Sequence, residues 1–198
     1  SGLRPHCAPE RAVGGVDLAA LEAALSRLNE AYILVVAGTS ELRILHANCF
    51  WVALTGYQPH EAIGNPWAHL MLGRGTSVED ANSFNNAVMA GQTSAVCLVS
   101  YKKTGVNFCN HLLNIPFGPL HHNGSIVNVV CLMMREIPSG SSTAYQHLVH
   151  GQQMQAAMAV RTHLSEHAVA PPARRASLVA PIQSSFDQPM EVDGARGG

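Results

Sequence analysis

Charge is scarce in this sequence. Only 13% of its 198 residues are Asp, Glu, Lys or Arg, and the formal net charge is -1 with a pI near 6.8. A surface that holds nucleic acid or an anionic membrane needs a surplus of Lys and Arg, so neither partner is expected. The longest apolar runs, such as 32–37 and 129–134, fall far short of the roughly 18 residues of a membrane span. The five cysteines (Cys7, Cys49, Cys97, Cys109, Cys131) are widely spaced, odd in number and never form a CxxC pair. That excludes a zinc site or a disulfide framework read from spacing. Buried reduced thiols in an intracellular, cytoplasmic protein are the expectation, with a nuclear one left open. Arg4 is followed by a polar, Gly-containing stretch rather than the apolar segment of a secretory signal. Ser1 is not an initiator Met, so a processed chain or a piece of a longer one is expected. Common catalytic motifs are missing too: there is no GxSxG elbow, P-loop or HExxH, and no enzyme is expected.

What is present suits one globular domain with spare length for tails: the hydrophobic content is 47%. Residues 1–15, with Pro5, Pro9, Gly14 and Gly15, read as a flexible arm. Asp17 is placed to cap a flanking helix within 16–30, in which Leu18, Leu21, Leu25 and Leu28 fall at helical spacing. Residues 31–37 form an apolar, β-branched run ended by Gly38, and 42–46 a second short strand, so a hairpin is predicted. Short helices follow over 50–54 and 61–70, interrupted by Gly56, Gly64 and Pro66. A longer helix covers 78–90, with Ser77 as N-cap and Gly91 at its end. Three strand-like runs come next, at 93–101, 107–115 and 126–137, with turns predicted at 102–106 and 117–124. This order, ββ, helices, βββ, predicts an α+β domain over 31–138: a five-stranded antiparallel sheet with helices on one face and a cavity between them. Residues 139–167 read as a linker and a second flanking helix, and 168–198, rich in Pro, Ala, Arg, Ser and Gly, as a disordered tail.

These residues carry a family resemblance. The element order, together with Ala47-Asn48, the Leu54 to Tyr57 stretch Leu-Thr-Gly-Tyr, the Ser100 to Gly105 stretch Ser-Tyr-Lys-Lys-Thr-Gly, and Phe108-Cys109-Asn110-His111-Leu112, resembles a PAS domain. More narrowly it is similar to the LOV subfamily, flavin-binding sensors of blue light. The likeness covers about residues 31–137.

The resemblance implies three chemical requirements. The first is a cysteine, within a Gly-Arg-Asn-Cys-Arg-Phe-Leu-Gln block, that forms a light-driven adduct with the flavin. Aligning Gly64 with the first glycine puts Trp67 at that position, and a one-residue deletion puts Pro66 there. Neither has the thiolate that covalent addition needs. The second is a set of arginines for the flavin phosphate, since guanidinium holds phosphate through paired charge-assisted bonds. Asn65 and Ala68 stand in the block's arginine positions, the helix over 78–90 has no Lys or Arg, and Arg74 is the nearby cation. The third is a trio of amides on the last three strands, which map to Ser100, Asn110 and, with Gly124 matched to the hairpin glycine, Met133. Only Asn110 is an amide. Each lost charge-assisted contact removes about 1.5–3 kcal/mol, and micromolar affinity corresponds to about 8 kcal/mol. No cofactor is therefore expected; FMN is possible but disfavoured.

The expected pocket lining is Asn110, Trp67, Met71, Ser100, Leu112 and Met133, around either an apolar ligand or no ligand at all, with Trp and Met as core fillers. Haem is a weaker alternative, with His69 and then His111 as candidate ligands; strand alternation turns His111 away from the cavity. Ser177, after Arg174-Arg175-Ala176, resembles a substrate of basophilic kinases and is the expected modification site. The reading as a whole is a non-catalytic regulatory or protein-interaction module of signal transduction. Its protein partner, or a second copy, is expected to dock through the sheet face and flanking helices, at Leu18, Leu21, Leu25 and Leu28; the equal alternative is that this helix packs only on its own sheet. The alternatives are a degenerate photoreceptor that still binds flavin through Asn110, and a sensor of haem or a small apolar ligand.

Overall fold

Val, Ile, Leu and Met pack well on a pleated, half-buried surface, and they dominate β1 (Ala31–Ala37) and β5 (Ser125–Ile137), which are joined by β2 (Arg43–Ala47), β3 (Ser94–Tyr101) and β4 (Asn107–His122). In the computed structural model, which describes residues 18–37, 41–122 and 125–167, these strands form one antiparallel sheet in the order β2-β1-β5-β4-β3. The helices are α1 (Leu18–Leu25), α2 (Cys49–Thr55), α3 (Pro59–Ala62), α4 (Trp67–Met71), α5 (Val78–Met89) and α6 (Thr143–His167). The predicted arm, tail and Ser177 lie outside the described residues.

Both faces of the sheet are covered, so β1 is not a polar–apolar alternation. Tyr32, Ile33, Leu34 and Val35 are consecutive and each at most 1% exposed. Alternation instead sorts them between two cores. Ile33, Val35, Leu98, Leu112, Leu132 and Met134 face α2–α5 and pack with Trp51, Trp67, Met71 and Phe84. Tyr32, Leu34, Leu113, Val129, Cys131 and Met133 face the other way and pack with Leu21, Leu25, Ala157 and Val160 of α1 and α6.

Asn48 ties the two ends of the β1–β2 hairpin to α2. Its Oδ1 accepts from Trp51 N at 2.9 Å as the N-cap and from Tyr32 N at 3.0 Å, while Nδ2 donates to the Glu30 carbonyl at 2.8 Å. α2 ends where Gly56 takes φ 82, a left-handed conformation that a side chain disfavours. The Thr55 carbonyl then accepts from Lys103 N at 2.8 Å, which pins this corner to the β3–β4 turn.

Two expectations need correction. The predicted turn at 117–124 is mostly strand: β4 runs to His122 and pairs with β5 as far as Ser125. The strand accommodates Pro116 and Pro119 because β3 pairs with β4 only up to Asn114. Beyond it β4 is an edge on that side, where a missing N–H costs little. A bulge leaves Phe117 unpaired and Gly118, at φ 90, turns the strand.

Met133 does not line the inner core. It is opposite Leu113 and Tyr32, on the face toward α1 and α6; the inner residues of β5 are Val130, Leu132 and Met134. An error of one residue in counting across the long hairpin moves a side chain to the opposite face. Of the two alternatives for α1, Leu21 and Leu25 follow the second: they are 0% and 1% exposed within their own chain, because α1 lies on its own sheet beside α6.

Two stability measurements follow. Asn48→Ala should cost about 1–3 kcal/mol in a urea titration, since a cap and two bridging bonds go together. Met133→Ala should cost about 2–4 kcal/mol, as a core truncation does, whereas Leu148→Ala on the exposed side of α6 should stay within about 0.5 kcal/mol.

Candidate functional site

β4 sets the inner polar positions. Asn110, Leu112 and Asn114 follow one another at the strand's period of two and so share a face; Leu112 packs in the core beneath α2–α5. Asn110 Nδ2 donates to Ser100 Oγ on β3 at 3.2 Å, and both residues are 0% exposed. Asn110 Oδ1 has no partner among the described residues. Asn114, equally buried, accepts from Ser94 N at 2.7 Å through Oδ1, and its Nδ2 is left unpaired. Trp51 Nε1, in the same core, is also unpaired, as are Ser94 Oγ opposite Asn114 and Asn85 Oδ1 on α5. A buried polar atom without a partner is costly, so these atoms are where bonding capacity is left over.

The rest of the face is apolar. Trp67 begins α4 and meets Phe84 of α5 edge to face, with ring centroids 6.2 Å apart. Met71, one turn later, is 0% exposed. Across from Leu112 stands Met134, and across from Asn114 stands Leu132. The structure thus brings together Ser100, Asn110, Leu112, Trp67 and Met71 and leaves Met133 on the far side of the sheet. A cleft of about 100 Å³ between α4 and α5, lined by Leu42, Trp67, His69, Asn85 and Met89 among others, reaches Trp67 from the surface. A wider one of about 480 Å³ lies elsewhere, against α1, Tyr32, His46 and Phe50.

The candidate cations and thiols are not at this site. α5 carries Glu79 and Asp80 in its first turn and no Lys or Arg, and Arg74 is exposed. Cys97 and Cys109 sit on the outer face of β3 and β4, half-buried, and Cys131 is enclosed beneath α1 and α6. Burial raises the pKa of all three thiols, Cys131 most strongly. Cys49 is exposed at the start of α2. His69 is exposed and lies 3.8 Å from Glu41. His111 faces outward, as alternation predicted, with Nδ1 2.8 Å from Gln153 Oε1 on α6. Among the described residues no group of three or more His, Cys, Asp or Glu gathers to hold a metal ion, and no helix is long and apolar enough to cross a membrane.

Sequence reasoning missed two features. Asn114 was within reach of it, being four residues beyond Asn110 on a strand. The contact of His111 with Gln153 spans 42 residues and had no local signal.

No protein-family model matches the chain. Phototropin-2 of Oryza sativa subsp. japonica is 27% identical over 110 residues, which are 56% of this chain but 12% of that protein. Among solved structures, the LOV protein of Rhodobacter sphaeroides superposes with a TM-score of 0.59 at 18% identity, over 76% of this chain and 82% of that one. The LOV domain of a blue-light activated histidine kinase from Erythrobacter litoralis does so with a TM-score of 0.50 at 16% identity, over 57% of this chain and 100% of that one. At these identities the likeness is one of backbone. The chain has the fold of LOV-type PAS domains.

Proposed function

We propose that this domain is a non-catalytic sensory and regulatory module of signal transduction that does not carry out flavin–cysteine adduct chemistry. One observation carries the reading: the inner core is filled by apolar side chains at the positions where the resemblance requires a nucleophile and a third amide. Residues 64–71 contain no cysteine. Trp67 and Met71 are buried there in contact with the same core as Leu112, and the β5 residues buried in it (Val130, Leu132, Met134) are apolar, while Glu136, opposite Asn110, is exposed. FMN fits this residue set poorly. It would find the Asn110–Ser100 pair but no guanidinium or ammonium on α5 for its phosphate. In this reading the core's role is to set the arrangement of β5 and of α6, which follows it in the chain. The protein partner meets the exposed side of α6, where Tyr145, Leu148 and Met158 are 41%, 57% and 62% exposed.

A second reading has its own support. Asn110 Oδ1 and Asn114 Nδ2 are a buried acceptor and a buried donor without partners on the inner face. A flat polar ligand, flavin included, would satisfy them, with signalling by reduction of the ligand instead of by an adduct.

An absorption spectrum of the purified chain separates the two. Our reading expects no visible band; structured absorption at about 450 nm would establish flavin, and a Soret band at about 410 nm haem. In the first case Asn110→Leu should keep the native circular dichroism and shift stability by no more than about 1 kcal/mol, since it removes an unpaired oxygen along with one weak bond. In a flavin-bound chain the same substitution should lose the colour.

A further inference from the structure

α6 lies across the outer face of the sheet, and most of what holds it there is apolar: Val149, Ala157 and Val160 are at most 3% exposed. Polar contacts add to this: Arg161 Nη2 donates to the Pro116 carbonyl of β4 at 2.7 Å, and two adjacent amides reach the sheet. Gln152 Oε1 accepts from Arg135 Nη1 of β5 at 2.5 Å, and Arg135 also pairs with Glu30, the residue before β1. Gln153, 0% exposed, meets His111 Nδ1 of β4 at 2.8 Å. Arg135 and His111 are cross-strand partners, so neighbouring residues of the helix fasten to neighbouring strands at one level of the sheet.

His111 is itself 3% exposed. With Gln153 Oε1 as acceptor, Nδ1 carries the ring's proton, and Nε2 is where a second would add. Nothing around the ring would balance the resulting charge. Opposite it on β3 is Cys97, and two residues back on β4 is Cys109; burial raises the pKa of both, so they remain neutral thiols. On β5 is Arg135, a cation, whose carboxylate partner Glu30 is already engaged. On α6 the His150 ring lies 6.0 Å away, and its Nδ1 has no partner among the described residues. If the helix lifts away, water can solvate the imidazolium.

We propose that His111 makes the docking of α6 pH-dependent: the neutral ring holds the helix on the sheet, and a proton on that ring releases it. The inference depends on where α6 lies and not on what the inner core holds. Its sign follows from burial, which lowers the His111 pKa; the His150 ring adds to this, and the bond to Gln153 opposes it. The undocked state therefore takes up the proton first. The contribution to docking is complete above the ordinary histidine value of about 6.5 and is lost as pH falls through the depressed pKa of the docked state.

Hydrogen–deuterium exchange of the whole chain, corrected for intrinsic rates, tests this. Between about pH 7.5 and about pH 5, peptides within 143–167 should lose protection relative to β1 by up to about tenfold per unit of pKa depression. His111→Gln, a neutral side chain that can still bond to Gln153, should abolish the pH response, and His150→Gln should keep it. Equal protection at both pH values in the unsubstituted chain, or a response that survives in His111→Gln, overturns the proposal. Should His111→Gln fail to fold, NMR of the unsubstituted chain decides. The His111 ring and the α6 amides should titrate with one midpoint below the usual histidine range; a ring that titrates without moving those amides also overturns it.

Discussion

The position of β5 between β1 and β4 is the constraint on which the rest depends. Strand residues point alternately to opposite faces, and here each face has its own helices and its own core. Register therefore decides more than which residues are buried. It assigns Leu132 and Met134 to the helices α2–α5, and Cys131, Met133 and Arg135 to α1 and α6. A slip of one residue would exchange the two sets and bring Arg135 beneath α2–α5. Both neighbours of β5 pair with it over long stretches, seven residues of β1 and thirteen of β4, which makes such a slip costly.

The residues that carry the family likeness are mostly those that shape the backbone. Asn48 caps α2 and holds the start of β1. Gly56 turns the chain out of α2, and Tyr57 hydroxyl donates to the Leu70 carbonyl at 3.1 Å. Lys103, in the β3–β4 turn, reaches Glu61 at 2.5 Å. Tyr101 lies so close to Gly73 that a Cβ there would come within 2.6 Å of its ring. None of these contacts involves a ligand. Sequence likeness follows this scaffold chemistry, while the inner face has a different lining, with Trp67 and Met71 beneath α4 and α5. A shared fold and a changed core are compatible because caps and turns act locally, whereas the core needs only apolar side chains of suitable volume.

Much of this was legible in the sequence, and the exceptions have physical causes. The strand β1 is a continuous β-branched run ended by Gly38, and α5 lies between Ser77 and Gly91, so local chemistry marked both. The length of β4 was not legible, since beyond Asn114 the strand pairs with β5 alone, a long-range pairing with no local signal. Met133 was misplaced for a related reason: the hairpin is longer than a count from Gly124 allows, and one residue changes the face. Ser100 and Asn110 were located correctly by spacing because the β3–β4 turn between them is short and built on Gly105.

The sequence by itself determined the elements, their order, and a core with few polar groups, because hydrophobic period, caps and turn residues act over a few positions. It also determined that residues 64–71 offer no thiol. The tertiary structure decided which apolar residues share a face, that α1 and α6 cover the outer side of the sheet, and that His111 meets Gln153 across 42 residues. Those outcomes depend on pairing between distant segments, whose register is set by the packing of both faces at once and leaves no trace in any short stretch of chain.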